Sequence, residues 1–187
     1  MMKKFNISLY TLILSSFLCS SIFAQDENLE KEVIITYTWS HIQSHGSNQL
    51  AIWIEDTLQN HICTLFATRF TTNGGYVYRP ISLSEWAAKF DLKNATKEEV
   101  DAVTGSTPQS GKQIVKWNGK DKSGKVLPAG TYIVRMEANI LDADKMFFRG
   151  EIMIGGNAQQ TTGEITYSSP NLASGNVLFK DVLVEYK

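Results

Sequence analysis

The chain is predicted to fold as an all-β antiparallel sandwich with a short helical insertion around residues 82–103. Three observations predict it. Segments rich in β-branched and aromatic residues alternate apolar and polar with a period of two, the mark of half-buried strands. Turn dipeptides rich in glycine and asparagine separate those segments. A helical period surfaces only in the middle of the chain, so strands and helices do not alternate as a parallel α/β fold requires.

The first segment is not a strand. The 187-residue chain opens Met1-Met2-Lys3-Lys4, continues through an apolar run from Ile7 to Leu18 and closes on Ile22-Phe23-Ala24. A basic start, a short apolar middle and a small residue at the end make a secretory leader, cleaved after Ala24. Ser15, Ser16, Ser20 and Ser21 cut the run short of the roughly 20 apolar residues of a membrane span. Leu18 precedes Cys19 where a lipid-modified cysteine normally follows a small residue. The expectation is a soluble periplasmic protein with no transmembrane span in its mature chain: a leader (1–24), a polar tether (25–31) and one sandwich domain (32–187). The formal charge of −1 becomes −3 when Lys3 and Lys4 leave with the leader. Without a basic excess, nucleic acid and anionic membrane are poor partners. Cys63 is the one cysteine left, so the fold stands on packing and not on a disulfide.

The strands follow in order. Val33, Ile35, Tyr37 and Trp39 alternate with Ile34, Thr36, Thr38 and Ser40. His41 to Ser47 reads as a loop. Leu50, Ile52 and Ile54 form the apolar side of a second strand, with Ala51, Trp53 and Glu55 on the other. Asp56 to Asn60 is a turn, and Ile62 to Phe70 a third strand with Thr64, Phe66 and Thr68 on the face of Ile62. After Asn73-Gly74-Gly75, Leu83, Trp86, Ala87 and Phe90 take helical spacing. Ser82 and Glu85 stand as a capping box, and Thr96 and Glu99 repeat that pattern before Val100 and Val103. Asp101 to Gly111 reads as largely irregular. Ile114 to Trp117 and Tyr132 to Ile140 are strands joined through Asn118-Gly119, Ser123-Gly124 and Pro128-Ala129-Gly130, read as a hairpin with Trp117 and Tyr132 framing it. Phe148, Gly150, Ile152 and Ile154 share one strand face, and Ile165 and Tyr167 offer a short strand. Val177 and Phe179 are out of phase with Val182, Val184 and Tyr186, which predicts a β-bulge near Lys180-Asp181. The total is about eight strands, within the usual range for a sandwich.

The run Trp117, Gly119, Asp121, Gly124, Pro128-Ala129-Gly130-Thr131-Tyr132 resembles the immunoglobulin-like domain of flagellar hook-capping proteins. That resemblance implies an immunoglobulin-like sandwich. A longer set of blocks comprises Ala51-Ile52-Trp53-Ile54-Glu55-Asp56, Thr64-Leu65, Asp101 to Pro108, the Trp117–Tyr132 run and Glu137-Ala138. In that order they resemble a bacterial family of predicted periplasmic proteins, domain of unknown function family 2271. The chain departs from that family's usual pattern at His45-Gly46-Ser47-Asn48 and at Asn139-Ile140-Leu141-Asp142. The resemblance implies export and a β-sandwich, with no established activity. It also implies a setting beside membrane redox or iron-uptake proteins.

Few residues carry chemistry. Gly105 and Gly111 are too far apart for a phosphate loop, and Gln113 stands where a Ser or Thr would hold magnesium. His41, His45 and His61 are the candidate metal ligands, with Cys63 sharing the parity of His61, because imidazole and thiolate suit copper or zinc. Their spacing matches no tight zinc motif. Asn118, Asp121 and Ser123 lie in an oxygen-rich turn beside Lys120, Lys122 and Lys125, unlike an EF-type calcium loop. Glu55 and Asp56 point to opposite faces of a strand, so they make a poor acid–base pair. Trp53, Glu55 and Asp121 are the candidate binding residues. Trp53 faces away from Ile52 and Ile54, where it either stacks on a ligand or lies under the Trp86 helix. No catalytic residue and no cofactor is expected. The sequence reading is a non-enzymatic envelope module that binds or scaffolds an envelope protein or a small ligand. The alternatives are an accessory of a redox or metal-uptake system and, third, an enzyme.

Overall fold

The structure is a computed structural model and describes residues 31–140, 144–168 and 177–187. The expected leader lies outside the described residues, as does the tether up to residue 30. Among the described residues, ten strands form two sheets. One has the order β5-β1-β10-β8, from Gly111–Trp117, Val33–Trp39, Phe179–Tyr186 and Gln159–Thr161. The other has the order β4-β3-β2-β6-β7-β9, from Thr104–Gly105, His61–Thr68, Gln49–Glu55, Gly130–Asn139, Lys145–Ile154 and Glu164–Tyr167. The pairings are antiparallel except β3 with β4. The two strands beyond the expected eight are β4 and β8, of two and three residues. Neither is long enough to display a period.

The sheets meet on the predicted faces. Val33, Ile35, Tyr37 and Trp39 of β1 pack against Leu50, Ile52 and Ile54 of β2, Val134 and Met136 of β6 and Phe148 of β7. Burial holds the Tyr37 phenol far above its ordinary pKa. The predicted slip in β10 is present: Thr36 pairs with Leu183 and Thr38 with Lys180, so β10 holds one extra residue there. Asp181 takes a left-handed φ of 53° to absorb it.

β3 departs from the expected single face. It carries two register shifts against β2, between the Ile52 and Trp53 pairs and between the Ile54 and Glu55 pairs. Trp53 lies opposite Thr64 while Ile52 lies opposite Phe66, and Ile54 lies opposite Cys63 while Glu55 lies opposite His61. Each extra residue reverses the faces that follow. Cys63 therefore enters the inter-sheet core, while Thr64 bonds to the helical side.

The stretch from Trp117 to Gly130 is not a hairpin. It leaves β5 in one sheet and enters β6 in the other, so it bridges the sandwich. Gly119 and Gly124 supply the positive φ angles, 71° and 82°, that side chains resist. The Trp117 indole donates to the Lys120 carbonyl at 2.8 Å, and its ring meets Tyr132 edge-on at 5.6 Å. Gly130 has no positive φ and opens β6 opposite Ile154, with nothing within 4 Å of an added Cβ.

Three short helices, α1 (Tyr76–Tyr78), α2 (Ser84–Phe90) and α3 (Lys97–Val103), follow β3 after a π-helical turn at Thr71–Gly75. The capping box expected at Ser82 and Glu85 does not form. Leu83 occupies the N-cap in a left-handed conformation with its side chain buried. Ser82 instead donates to Asn139 Oδ1 at 3.2 Å, and Glu85 pairs with Arg135. The capping box at Thr96 and Glu99 does form, from 3.2 and 2.9 Å hydrogen bonds. Of the segment expected to be irregular, Asp101–Val103 completes α3 and Thr104–Gly105 forms β4. The helices create a second core: Trp86, Leu83 and Leu92 cover Ala51, Trp53 and Ala67 on the outer face of the larger sheet.

Gly155 has φ 82°, and a Cβ there would lie 2.3 Å from Ala129 Cβ and 2.9 Å from its Cα. Gly155→Ala is expected to lose about 1–3 kcal/mol of stability in urea unfolding. Gly130→Val, at an open strand start, should stay within about 1 kcal/mol of the parent.

Candidate functional site

The helix-covered face of the larger sheet carries a polar network. Trp53 is fully buried, and its indole donates to Glu55 Oε1 at 2.8 Å. The Arg135 guanidinium lies over the Trp53 ring at 5.7 Å, pairs with Glu85 and stands 3.9 Å from Glu55. Lys89 reaches Glu55 Oε1 at 3.4 Å. Beside this group, fully buried Glu137 accepts the Trp86 backbone N–H at 2.9 Å and faces Lys145 at 3.2 Å. Lys145 also donates to Ser84 Oγ at 2.5 Å. Burial raises the Glu137 pKa, against the Trp86 and Lys145 contacts that lower it. Trp53 and Glu55 thus hold α2 to the sheet; of the two positions open to Trp53, it occupies the one under the Trp86 helix.

A cleft of about 740 Å³ opens next to this network. Its walls are the bulged start of β3, the end of α2, α3 and the inter-sheet crossing from Trp117 to Lys122. A hydrogen-bond chain sets one wall. Trp86 Nε1 donates to Thr64 Oγ1 at 2.9 Å, and Thr64 Oγ1 lies 2.9 Å from His61 Nε2. An indole N–H can only donate, so Thr64 Oγ1 accepts from Trp86 and keeps one acceptor site and its hydroxyl hydrogen for the contact with His61 Nε2. Phe90 stacks on Trp86 at 5.2 Å and meets His61 edge-on at 5.9 Å.

His61 and Cys63 rest uncharged in the cleft. Burial, followed by the Lys122 and Lys89 ammoniums and opposed by Glu55, lowers the His61 pKa to about 4. Burial, followed by the Asp121 carboxylate and opposed by Trp117, pushes the Cys63 thiol up to about 12. Asp121 is held below the usual carboxylate range by Ser123 first and then by the Lys125 and Ser123 N–H groups.

The cleft brings together His61, Cys63 and Asp121 among the residues singled out from the sequence. His41 and His45 are exposed in the loop that leads into β2 at Gln49, a loop closed by paired hydrogen bonds between Ile42 and Asn48. His61 pairs with Glu55 at the far end of β2, roughly 20 Å away at the rise of a seven-residue strand. The three histidines therefore do not share a site. Among the described residues, no three His, Cys, Asp or Glu side chains group as metal ligands. Thr64 and Phe90 were not named as site residues, and Lys122 was named only as a positive charge beside the Asp121 turn. Phe90 was visible only as one position of an amphipathic face, and Thr64 needed the bulges to be placed.

The fold and its helical roof define a β-sandwich protein with a lateral cleft. Residues 31–168 match the family model described as Predicted periplasmic protein (DUF2271), and the chain belongs to that family. Comparison with curated proteins and with solved structures gave no match. The periplasmic location agrees with the export expected from the leader. No helix among the described residues is long and apolar enough to cross a membrane.

Two outcomes follow from these electrostatics. His61 is neutral in the fold down to about pH 4, whereas an unfolded histidine protonates near pH 6.5. Its contribution is complete above about pH 6.5 and is lost as pH falls from there to about 4, because only the unfolded chain takes up the proton. Relative to His61→Gln, the parent should lose about 1–2 kcal/mol across that window after solvent screening, read from urea midpoints. In the second, Lys145→Met strands the buried Glu137 carboxylate and should cost about 3 kcal/mol. Glu137→Gln combined with Lys145→Met should recover part of that loss, since no buried charge remains.

Proposed function

We propose that the protein is a non-catalytic binding module of the cell envelope that takes a small ligand into the lateral cleft. The observation that carries this reading is the cleft itself, whose volume suits a small organic molecule and whose titratable core groups, His61 and Cys63, are held neutral. A thiol held in its neutral form is a poor nucleophile. The hydrogen-bond chain from Trp86 through Thr64 fixes the imidazole in place and occupies its Nε2, as a rigid recognition wall requires. The reading as a metal-uptake accessory would have to be built on His61 without His41 and His45, which stand at the other end of β2.

A thermal-shift screen of small molecules extracted from the envelope tests the proposal, because a ligand of the folded state raises the melting temperature. Compounds that stabilise the parent should fail to stabilise Ala102→Trp, which fills the cleft from the exposed side of α3. They should also be recovered unchanged by mass spectrometry. Stabilisation that survives Ala102→Trp would remove the cleft from the proposal, and turnover of the compound would remove the non-catalytic reading.

A further inference from the structure

We infer that the cleft is selective for an organic anion, a carboxylate carried on a flat apolar body. This inference rests on the reading of the cleft as the binding site and adds the class of ligand.

Each of the lining acids is engaged within the protein through at least one oxygen. Asp121 Oδ1 accepts from Ser123 N at 2.8 Å, Ser123 Oγ at 2.7 Å and Lys125 N at 3.0 Å. Both Asp91 oxygens accept from Asn94, at 2.9 and 3.0 Å. Glu99 Oε2 accepts from Thr96 N at 2.9 Å as part of the α3 cap. The donors are less engaged. Lys122 Nζ has Glu99 at 3.9 Å as its ion-pair partner, beyond hydrogen-bond distance, and its side chain is 72% exposed. Among the described residues, the Lys120 ammonium makes no ion pair or side-chain hydrogen bond. The two ammoniums, Lys120 and Lys122, therefore face the cleft without a hydrogen-bonded carboxylate partner. A carboxylate satisfies them with charge-assisted hydrogen bonds.

The apolar wall sets the rest of the ligand. Half-buried Phe90, Leu65 and Val103 line the cleft beside those donors. Phe90 is held flat by its stacking on Trp86, so it offers a planar surface to a planar partner. At the imidazole itself, the Lys122 and Lys89 ammoniums act against a positive charge, while Glu55 acts for one.

The test uses three matched probes: indole-3-acetate, its neutral analogue indole-3-acetamide and the cation tryptamine. Each is titrated into the nitrogen-15-labelled protein, and amide shifts are followed at residues 61–65 and 120–122. Indole-3-acetate should move those resonances and bind more tightly than the other two. Lys122→Met, at an exposed position, should weaken it by about fivefold, and Lys120→Met provides a second variant should the first fail to fold. Equal or tighter binding of the amide or the amine would overturn the anion assignment and leave the cleft as a binding site. So would unchanged affinity in both lysine variants. No shift at the cleft with any probe would overturn the inference, and screen hits abolished by Ala102→Trp would then show that the cleft reading survives it.

Discussion

The arrangement depends on one carboxylate shut away from water. Glu137 points out of the larger sheet into the space under α2, where it holds the Trp86 backbone N–H and the Lys145 ammonium. A helix of seven residues is far too short to persist on propensity alone. It forms because its backbone is tied to the sheet and Trp86 fills the second core. Burying an ionised carboxylate costs several kcal/mol unless it is paired and hydrogen-bonded. Glu137 has both kinds of partner, so it can fix where the helix begins. The position of α2 then sets Phe90 and Lys89, which form one side of the cleft.

The larger sheet thus has two buried faces with different chemistry. Its inner face is closed by aliphatic and aromatic packing against the smaller sheet. Its outer face is closed by tryptophans whose indole N–H groups each find an acceptor, Glu55 for Trp53 and Thr64 for Trp86. Dispersion can close the first face in many registers. The second needs particular partners at particular heights, and Arg135 between Glu85 and Glu55 adds to that demand. The polar face therefore defines where the helices sit.

This difference explains what could be read from the sequence. The inner face announces itself through a period of two, so β1, β2, β6, β7 and β10 were legible, and the slip at Asp181 was visible as a change of phase between Phe179 and Val182. The bulges in β3 left no such trace, because Ile62, Leu65 and Phe66 are apolar on both sides of each shift. The crossing from Trp117 to Gly130 has the composition of a hairpin turn. Its true role depends on the sheet in which each flanking strand finds partners, which is a long-range matter. At α2 the local capping signal lost to tertiary contacts, since Ser82 and Glu85 have partners in Asn139 and Arg135. At α3, where no buried partner competes, the same signal was right. Among the site residues, His61, Cys63 and Asp121 could be named in advance, but not that they face one cleft.

The cleft itself is a consequence of two local irregularities meeting. A regular β3 would keep His61 and Cys63 on one face and turn Thr64 away from both. The extra residue between Cys63 and His61 breaks that alternation, placing Cys63 against the core while His61 reaches Thr64 and the helical side. An ordinary hairpin after β5 would also keep Trp117 and Lys122 within one sheet. Because the chain crosses instead, the Lys122 backbone N–H reaches the Ile62 carbonyl at 3.3 Å, tying the crossing to the bulged strand. A sheet edge that is bulged and covered is poorly suited to pairing with another strand. The surface that remains is a recess walled by side chains from three separate parts of the chain, which favours recognition of a compact ligand over extension of the sheet.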